Sequence, residues 1–143
     1  MAPPFACVLE LENMKSHRAV GSWIVIAMFS LSGVLHLVSP HSFVWLMPPF
    51  LPWPVALVYI SGVAELLAAG LLLARHRLGP LFTVLVLLAV WPANWWYAID
   101  IIGEESWIMV AIAWVRLPLQ LPLAWWAWRS PVRKPEASAA AID

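Results

Sequence analysis

The sequence contains very little charge for its size. Only 11% of its 143 residues are charged and 63% are hydrophobic, whereas a soluble domain is usually about one quarter charged and about half apolar. A soluble protein of this length would therefore lack the polar residues that cover its surface. The formal net charge is zero, which argues against a nucleic-acid partner.

Cysteines and the common catalytic motifs are also scarce. The single cysteine, Cys7, cannot form an internal disulfide, and without a CxxC pair the chain has no dithiol chemistry of its own. The sequence has no P-loop, GxGxxG or GxSxG motif, and no cluster with metal-ligand spacing, so no metal site is expected. No catalytic residue is assigned, and the sequence leaves open whether the chain is an enzyme.

Long apolar runs are what the sequence does contain. Each has about 20 residues, the length of an α-helix that crosses a bilayer. A membrane β-barrel would instead show alternating strands of about 10 residues. The sequence therefore predicts an all-α, polytopic membrane protein with a four-transmembrane-helix bundle over 19–128, an N-terminal tail over 1–18 and a disordered tail over 129–143. The predicted spans are 19–38, 54–74, 79–99 and 107–128.

The first connection differs from the other two. It reads SPHSFVWLMPPFLPWP, carries no Lys, Arg, Asp or Glu, and has four prolines between Pro48 and Pro54, which exclude a regular helix there. The segment is too apolar to lie free in water. We expect it to be ordered in the membrane interface and to cap a cavity between the helices.

The basic residues predict the orientation. Seven of the eight fall before span one, between spans two and three, or after span four: Lys15, Arg18, Arg75, Arg77, Arg129, Arg133 and Lys134. Short cytoplasmic loops carry this excess. Both termini are therefore expected in the cytoplasm, with the protein in the inner membrane. Met14 is an alternative start, because 1–13 add nothing to the membrane pattern.

The eighth basic residue, Arg116, lies within span four, and Glu65 lies within span two. From the start of each span, the rise of an α-helix places them about 14 and about 16 Å deep. A lone charge at mid-membrane is costly, by roughly 2.5 to 3.5 kcal/mol on insertion scales. The sequence therefore predicts a buried Glu65–Arg116 ion pair. Two interpretations stay open, a structural pair that holds the bundle together and a ligand or proton site.

Other polar residues lie within the spans as well, with His36 and Asn94 near the outer ends of spans one and three. Ser61 and Gly62 share the region of Glu65, and the small Gly62 would let another helix approach closely. Gln120 is one turn from Arg116. The candidate ligand-binding residues, expected to line one polar cavity, are His36, Glu65, Asn94, Arg116 and Gln120.

Four runs in this order resemble the DoxX-like family of small integral membrane proteins. They are the run from SGVLH to PPFLPWP, then YISGVAELLAAGLLL, PANWW and RLPLQLPLAWWAW, over roughly residues 33–128. The resemblance implies a four-helix bundle and matches the five candidate residues to the polar positions of the family's motifs. Some larger relatives in that family look like subunits of quinone-linked oxidoreductases that act on sulfur compounds.

Three functional hypotheses follow. The first is a membrane subunit or accessory protein of a redox system; because the chain has no redox centre of its own, this role needs a quinone or a partner subunit. The second is a small proton-coupled carrier or permease in which Glu65 titrates. The third is a purely structural membrane partner. The bilayer is the expected environment in each case, and a homo-oligomer is compatible with all three.

Overall fold

A computed structural model describes residues 4–103 and 106–133, with side chains over 20–103 and 106–133. Throughout these residues the chain is helical, turn or irregular, with no strand. The α-helices are α1 (Pro4–Val38), α2 (Pro54–Leu73), α3 (Gly79–Asp100) and α4 (Trp107–Trp128), and a 3₁₀ helix (Pro40–Leu46) follows α1. The predicted all-α, four-helix membrane fold is confirmed.

Four segments of these helices are long and apolar enough to cross a membrane. They are Val20–Val38, Pro54–Leu73, Gly79–Asp100 and Trp107–Trp128, each within one residue of the bounds expected from the sequence. Prolines stand at the starts of the 3₁₀ helix, α2 and α3, where the missing N–H costs no hydrogen bond. Helix α1 begins well before its apolar segment, so 4–18, expected as a tail, continues the first helix.

The four α-helices form a ring. Helix α1 packs against α2 and α4, and α3 packs against the same two helices. Consequently α1 lies diagonally across from α3, and α2 lies diagonally across from α4. We refer to the end that carries the 3₁₀ helix as the 3₁₀ end, and to the opposite end, with the short 74–78 connection, as the turn end.

The interior contains two apolar cores. The core toward the turn end includes Val25, Phe29, Leu72 and Leu123, and the core toward the 3₁₀ end includes Leu46, Tyr97, Ala98, Ile101, Ala113 and Leu117. Many other large apolar side chains point outward; Leu31, Ile60 and Leu121 are each more than 60% exposed. An apolar outer surface of this kind is stable in lipid and not in water.

Two glycines bring α1 and α2 into backbone contact. A Cβ atom on Gly33 would lie 2.8 Å from the carbonyl oxygen of Gly62, and one on Gly62 would lie 2.8 Å from the Cβ of His36. Neither position has room for a side chain. The close helix approach expected at Gly62 is therefore confirmed, and Gly33 supplies the other half of it.

At the turn end, hydrogen bonds link the segment that follows α4 to α1 and to the 74–78 connection. The buried hydroxyls of Ser22 and Ser130 are hydrogen-bonded at 2.7 Å, and the Arg133 N–H donates to the Arg75 carbonyl oxygen at 2.8 Å. Beyond α4, 129–133 form a turn and irregular backbone. The rest of the predicted disordered tail, including Lys134, and the acidic pair Glu104–Glu105 lie outside the described residues, as do the side chains of Lys15 and Arg18.

The first connection is more regular than its prolines suggest. Its first half forms the 3₁₀ helix, with Pro40 in the first turn, and the backbone becomes extended at Met47. The prolines that exclude a regular helix all lie after this point. Several side chains of this connection face the space between the α-helices, namely Phe43, Leu46, Met47, Pro48, Phe50 and Leu51.

Candidate functional site

A cavity of about 760 Å³ lies between the four helices beneath the first connection. Phe29, Val86 and Leu123 border it on the side of the turn-end core, and Leu46 borders it on the other side. The structure brings all five sequence-predicted residues into its lining: His36, Glu65, Asn94, Arg116 and Gln120. The remaining lining residues are mostly apolar, so a few polar groups face an otherwise hydrophobic cavity.

Two titratable side chains, Glu65 and His36, contact each other in this cavity. The Oε2 atom of Glu65 lies 3.5 Å from Nδ1 of His36, and Glu65 is only 7% exposed. The same histidine nitrogen lies 3.4 Å from the hydroxyl of Ser61, which donates to the Val58 carbonyl oxygen at 2.9 Å. Because Gly33 and Gly62 hold α1 against α2 one turn away, this contact is fixed by helix packing.

The predicted Glu65–Arg116 ion pair is not formed. Among the described residues, the ion-pair partner of Glu65 is His36, and no ion pair joins Glu65 to Arg116. Helix rise gave similar depths for the two charges, but depth says nothing about which helices are neighbours. Since α2 and α4 are diagonal in the ring, Glu65 and Arg116 border the cavity from opposite sides, and Glu65 meets the histidine of the adjacent helix.

Arg116 and Asn94 are available to a ligand. Within the described part of the chain, neither side chain forms a hydrogen bond or an ion pair, although Arg116 is near enough to His36 to interact with it electrostatically. A guanidinium carries five N–H donors and no acceptor. At mid-membrane such a group needs an anion, an acceptor or water.

In the described structure, only one of the two polar atoms in the Gln120 side chain is hydrogen-bonded. Its Nε2 group donates to the Leu87 carbonyl oxygen at 3.5 Å, a long hydrogen bond between α4 and α3. Its buried Oε1 atom has no hydrogen-bond partner among the described residues, and the Oε2 atom of Glu65 also accepts no hydrogen bond there. The cavity therefore offers both acceptors and, through Arg116, donors.

Sequence reasoning missed some of the lining. Ser32 lies one turn before His36 on α1, and its hydroxyl interacts with the carboxyl of Glu65; the i, i+4 spacing from His36 was the available signal. Phe43 packs edge-on against His36, with ring centroids 4.4 Å apart. Such a contact joins two separate elements, and no local sequence pattern indicates it.

The chemistry open to this site is limited. No group of three or more His, Cys, Asp or Glu residues within the described ranges could hold a metal ion. The cavity volume falls within the usual 300 to 1,000 Å³ of small-molecule sites, which are likewise mostly apolar with a few polar groups. The arrangement suits an amphiphilic molecule with a hydrogen-bonding headgroup.

Comparison with known families gives a match over most of the chain. The family described as "Domain of unknown function (DUF8561)" matches residues 18–131, which contain all four membrane-spanning segments and the whole cavity. The chain belongs to this family. No curated protein and no solved structure matched the DUF8561 chain.

Proposed function

We propose that this DUF8561 protein binds a quinone-like amphiphile in its cavity and acts as a membrane subunit or accessory protein of a redox system. The observation that carries the proposal is Arg116, a mid-membrane guanidinium that faces an apolar cavity without a hydrogen-bonding partner in the described structure. Quinone carbonyl oxygens accept hydrogen bonds and become more negative on reduction. Arg116 would therefore favour the reduced headgroup.

The other polar groups fit the same ligand. Across the cavity, the His36–Glu65 contact could take up or release the protons that accompany quinone reduction. The Oε1 atom of Gln120 adds an acceptor, and the side-chain amide of Asn94 adds both a donor and an acceptor. The electrons would come from a partner subunit with its own redox centre. The sequence motifs that resemble the DoxX-like family favour this role, because some larger relatives in that family look like quinone-linked subunits.

We also propose the inner membrane as the location, with both termini in the cytoplasm. The support is the charge distribution: Arg75, Arg77, Arg129 and Arg133 all lie at the turn end, and short cytoplasmic loops carry such an excess. The cavity would then lie nearer the outer face, beneath the first connection.

Retention of quinone in lipid nanodiscs tests the function. We expect the wild-type protein, supplied with long-chain ubiquinone or menaquinone, to retain about one molecule per cavity by native mass spectrometry. Arg116→Leu should lose this retention and remain folded, because an apolar side chain is well tolerated at mid-membrane. Arg133→Leu is the matched control, an arginine outside the cavity lining. Equal retention by both variants, or none by the wild type, would refute the proposal.

A proton-coupled carrier is the second candidate, and the buried His36–Glu65 contact favours it. Two adjacent titratable side chains inside a membrane cavity are a common feature of proton-coupled transport. Proteoliposomes that show substrate-dependent proton movement in the wild type and none in Glu65→Gln would support this candidate. A co-purifying subunit with an empty cavity would instead favour a purely structural role.

A further inference from the structure

The cavity does not end at the bundle surface. Several of its lining residues are also exposed on the outside of the bundle. In a membrane, this outer surface of the helices is surrounded by lipid. Of the six such residues on the α-helices, four belong to α2 and α3: Ile60 and Ile99 are 63% and 57% exposed, and Ala89 and Pro92 are exposed as well. A side chain that both lines the cavity and faces outward lies at an opening.

The two helices explain where this opening is. At the turn end α2 and α3 are in close contact, since a Cβ on Gly79 would lie 3.0 Å from the backbone of Leu71. Leu72 and Val86 continue that contact in the turn-end core. The core toward the 3₁₀ end is built from α4, the 3₁₀ helix and the C-terminal part of α3, and it includes no residue of α2. The helices are therefore joined at one end and leave a lateral opening at the other.

Aromatic side chains border this opening on the 3₁₀ side. Phe50 of the first connection packs edge-on against Trp96 of α3, with ring centroids 5.3 Å apart, and both line the cavity. Phe50 is 69% exposed. Aromatic rings of this kind favour contact with the tail and the ring of an amphiphile, and they exclude water from the opening.

We propose that this α2–α3 opening is the route by which a bilayer amphiphile reaches the cavity, with its tail left in the lipid. A volume of about 760 Å³ accommodates a headgroup and the first part of a chain, as in ordinary small-molecule sites, but not a long isoprenoid or acyl tail. The tail must then pass through the wall, and the α2–α3 opening is its apolar exit. This inference rests on the proposed function and specifies how its ligand binds.

The alternative exit is the seam between α1 and α4. Met28 and Leu119 line the cavity there and are 48% and 51% exposed. Fewer lining residues are exposed along this seam, and Met28 is flexible enough to fill it. The α1–α4 exit is therefore the competing outcome of the experiment.

The first measurement maps the tail. A quinone with a diazirine in the middle of its alkyl chain is photolysed with the wild-type protein in nanodiscs, and the adducts are located by mass spectrometry. Adducts between 57 and 64 of α2, or between 89 and 96 of α3, support the α2–α3 opening. Adducts at Met28 or Leu119, or adducts spread evenly over the outer surface, overturn it.

The second measurement obstructs the opening. Ala89→Trp should slow association of the long-chain quinone by about tenfold or more, within the one to three decades over which association rates vary among variants of one site. Ala111→Trp is the matched control, an exposed alanine of α4 outside the cavity lining. A water-soluble quinone without a tail should bind Ala89→Trp, which shows that the variant keeps a folded cavity.

The outcomes separate the two proposals. A wild-type protein that binds neither quinone refutes the proposed function and this inference with it. A wild-type protein that binds the long-chain quinone, with Ala89→Trp and Ala111→Trp indistinguishable in rate, refutes the α2–α3 route alone. If Ala89→Trp binds neither quinone, Ile60→Trp on the facing helix replaces it under the same criterion, and an unchanged association rate overturns the route.

Discussion

The contact between Gly33 and Gly62 should be the point at which the bundle is most sensitive to a single methyl group. We consider Gly62→Ala, because the added Cβ would lie 2.8 Å from the Cβ of His36 and 3.0 Å from the Gly33 carbonyl oxygen. Real Cβ atoms essentially never approach another heavy atom as closely as 2.8 Å, and a 3.0 Å contact is tighter than most. Both neighbours are near the backbone of α1, so α1 must move for the methyl group to fit.

A matched control lies on the same helix. At Gly70 an added Cβ would meet no atom within 4 Å, so Gly70→Ala changes helix propensity without any overlap. Replacing glycine by alanine in a helix contributes about 0.8 to 1 kcal/mol of stability. Because this contribution applies to both variants, it cancels in their comparison, and the difference isolates the steric overlap.

Overlap in a well-packed interior costs about 1 to 3 kcal/mol. Gly62→Ala should therefore be less stable than Gly70→Ala by about 1 to 3 kcal/mol, or about 5- to 150-fold in the unfolding equilibrium constant at 25 °C. The assay is reversible unfolding in mixed micelles, with the two variants compared in one detergent. Because His36 is the residue displaced, Gly62→Ala should also weaken any ligand that contacts the His36–Glu65 pair.

Equal stability of Gly62→Ala and Gly70→Ala would refute the reasoning, because it would mean that α1 and α2 are not in backbone contact at this point. Gly33→Ala provides an independent check from the other helix, since its Cβ would lie 2.8 Å from the Gly62 carbonyl oxygen. The two single changes in the α1–α2 contact should not be additive, because the first already separates the helices that the second would push apart.

Three further predictions address the charges. A double-mutant cycle of His36→Ala and Glu65→Ala should give a coupling energy above about 0.5 kcal/mol, and a cycle of Glu65→Ala with Arg116→Ala a smaller one, because only the first pair is in contact; the reverse order would contradict the assigned partner. Arg116→Leu should leave the thermal midpoint unchanged or raised, since it removes a mid-membrane charge with no ion-pair partner in the described structure; a large loss of stability would show that the guanidinium is satisfied within the fold. In a Cys7→Ser background, a cysteine at Ser42 should react with an impermeant maleimide in whole cells and one at Arg77 should not, because the turn end is basic; the opposite labelling would reverse the proposed orientation.

Much of the fold was predictable because a bilayer limits what a chain can do. Hydrocarbon offers no partner for a backbone amide, so an apolar run of the right length must be a helix. The four spans could be located from length and hydropathy alone, and the prolines at 54 and 80 indicated where α2 and α3 begin. The 3₁₀ helix was less accessible, because the proline-rich second half of its connection dominated the local pattern.

The sequence by itself determined how far along its helix each polar residue lies, because helix rise is a fixed distance per residue. These positions and the polarity of the side chains were enough to select His36, Glu65, Asn94, Arg116 and Gln120. All five residues border one cavity. The neighbours of each residue were decided only by the tertiary structure. Gly33 and Gly62 bring α1 against α2 and give Glu65 its histidine, whereas the ring order leaves Arg116 on the far side of the cavity. Which faces of two helices meet depends on close packing between distant parts of the chain, and no spacing within one span specifies it.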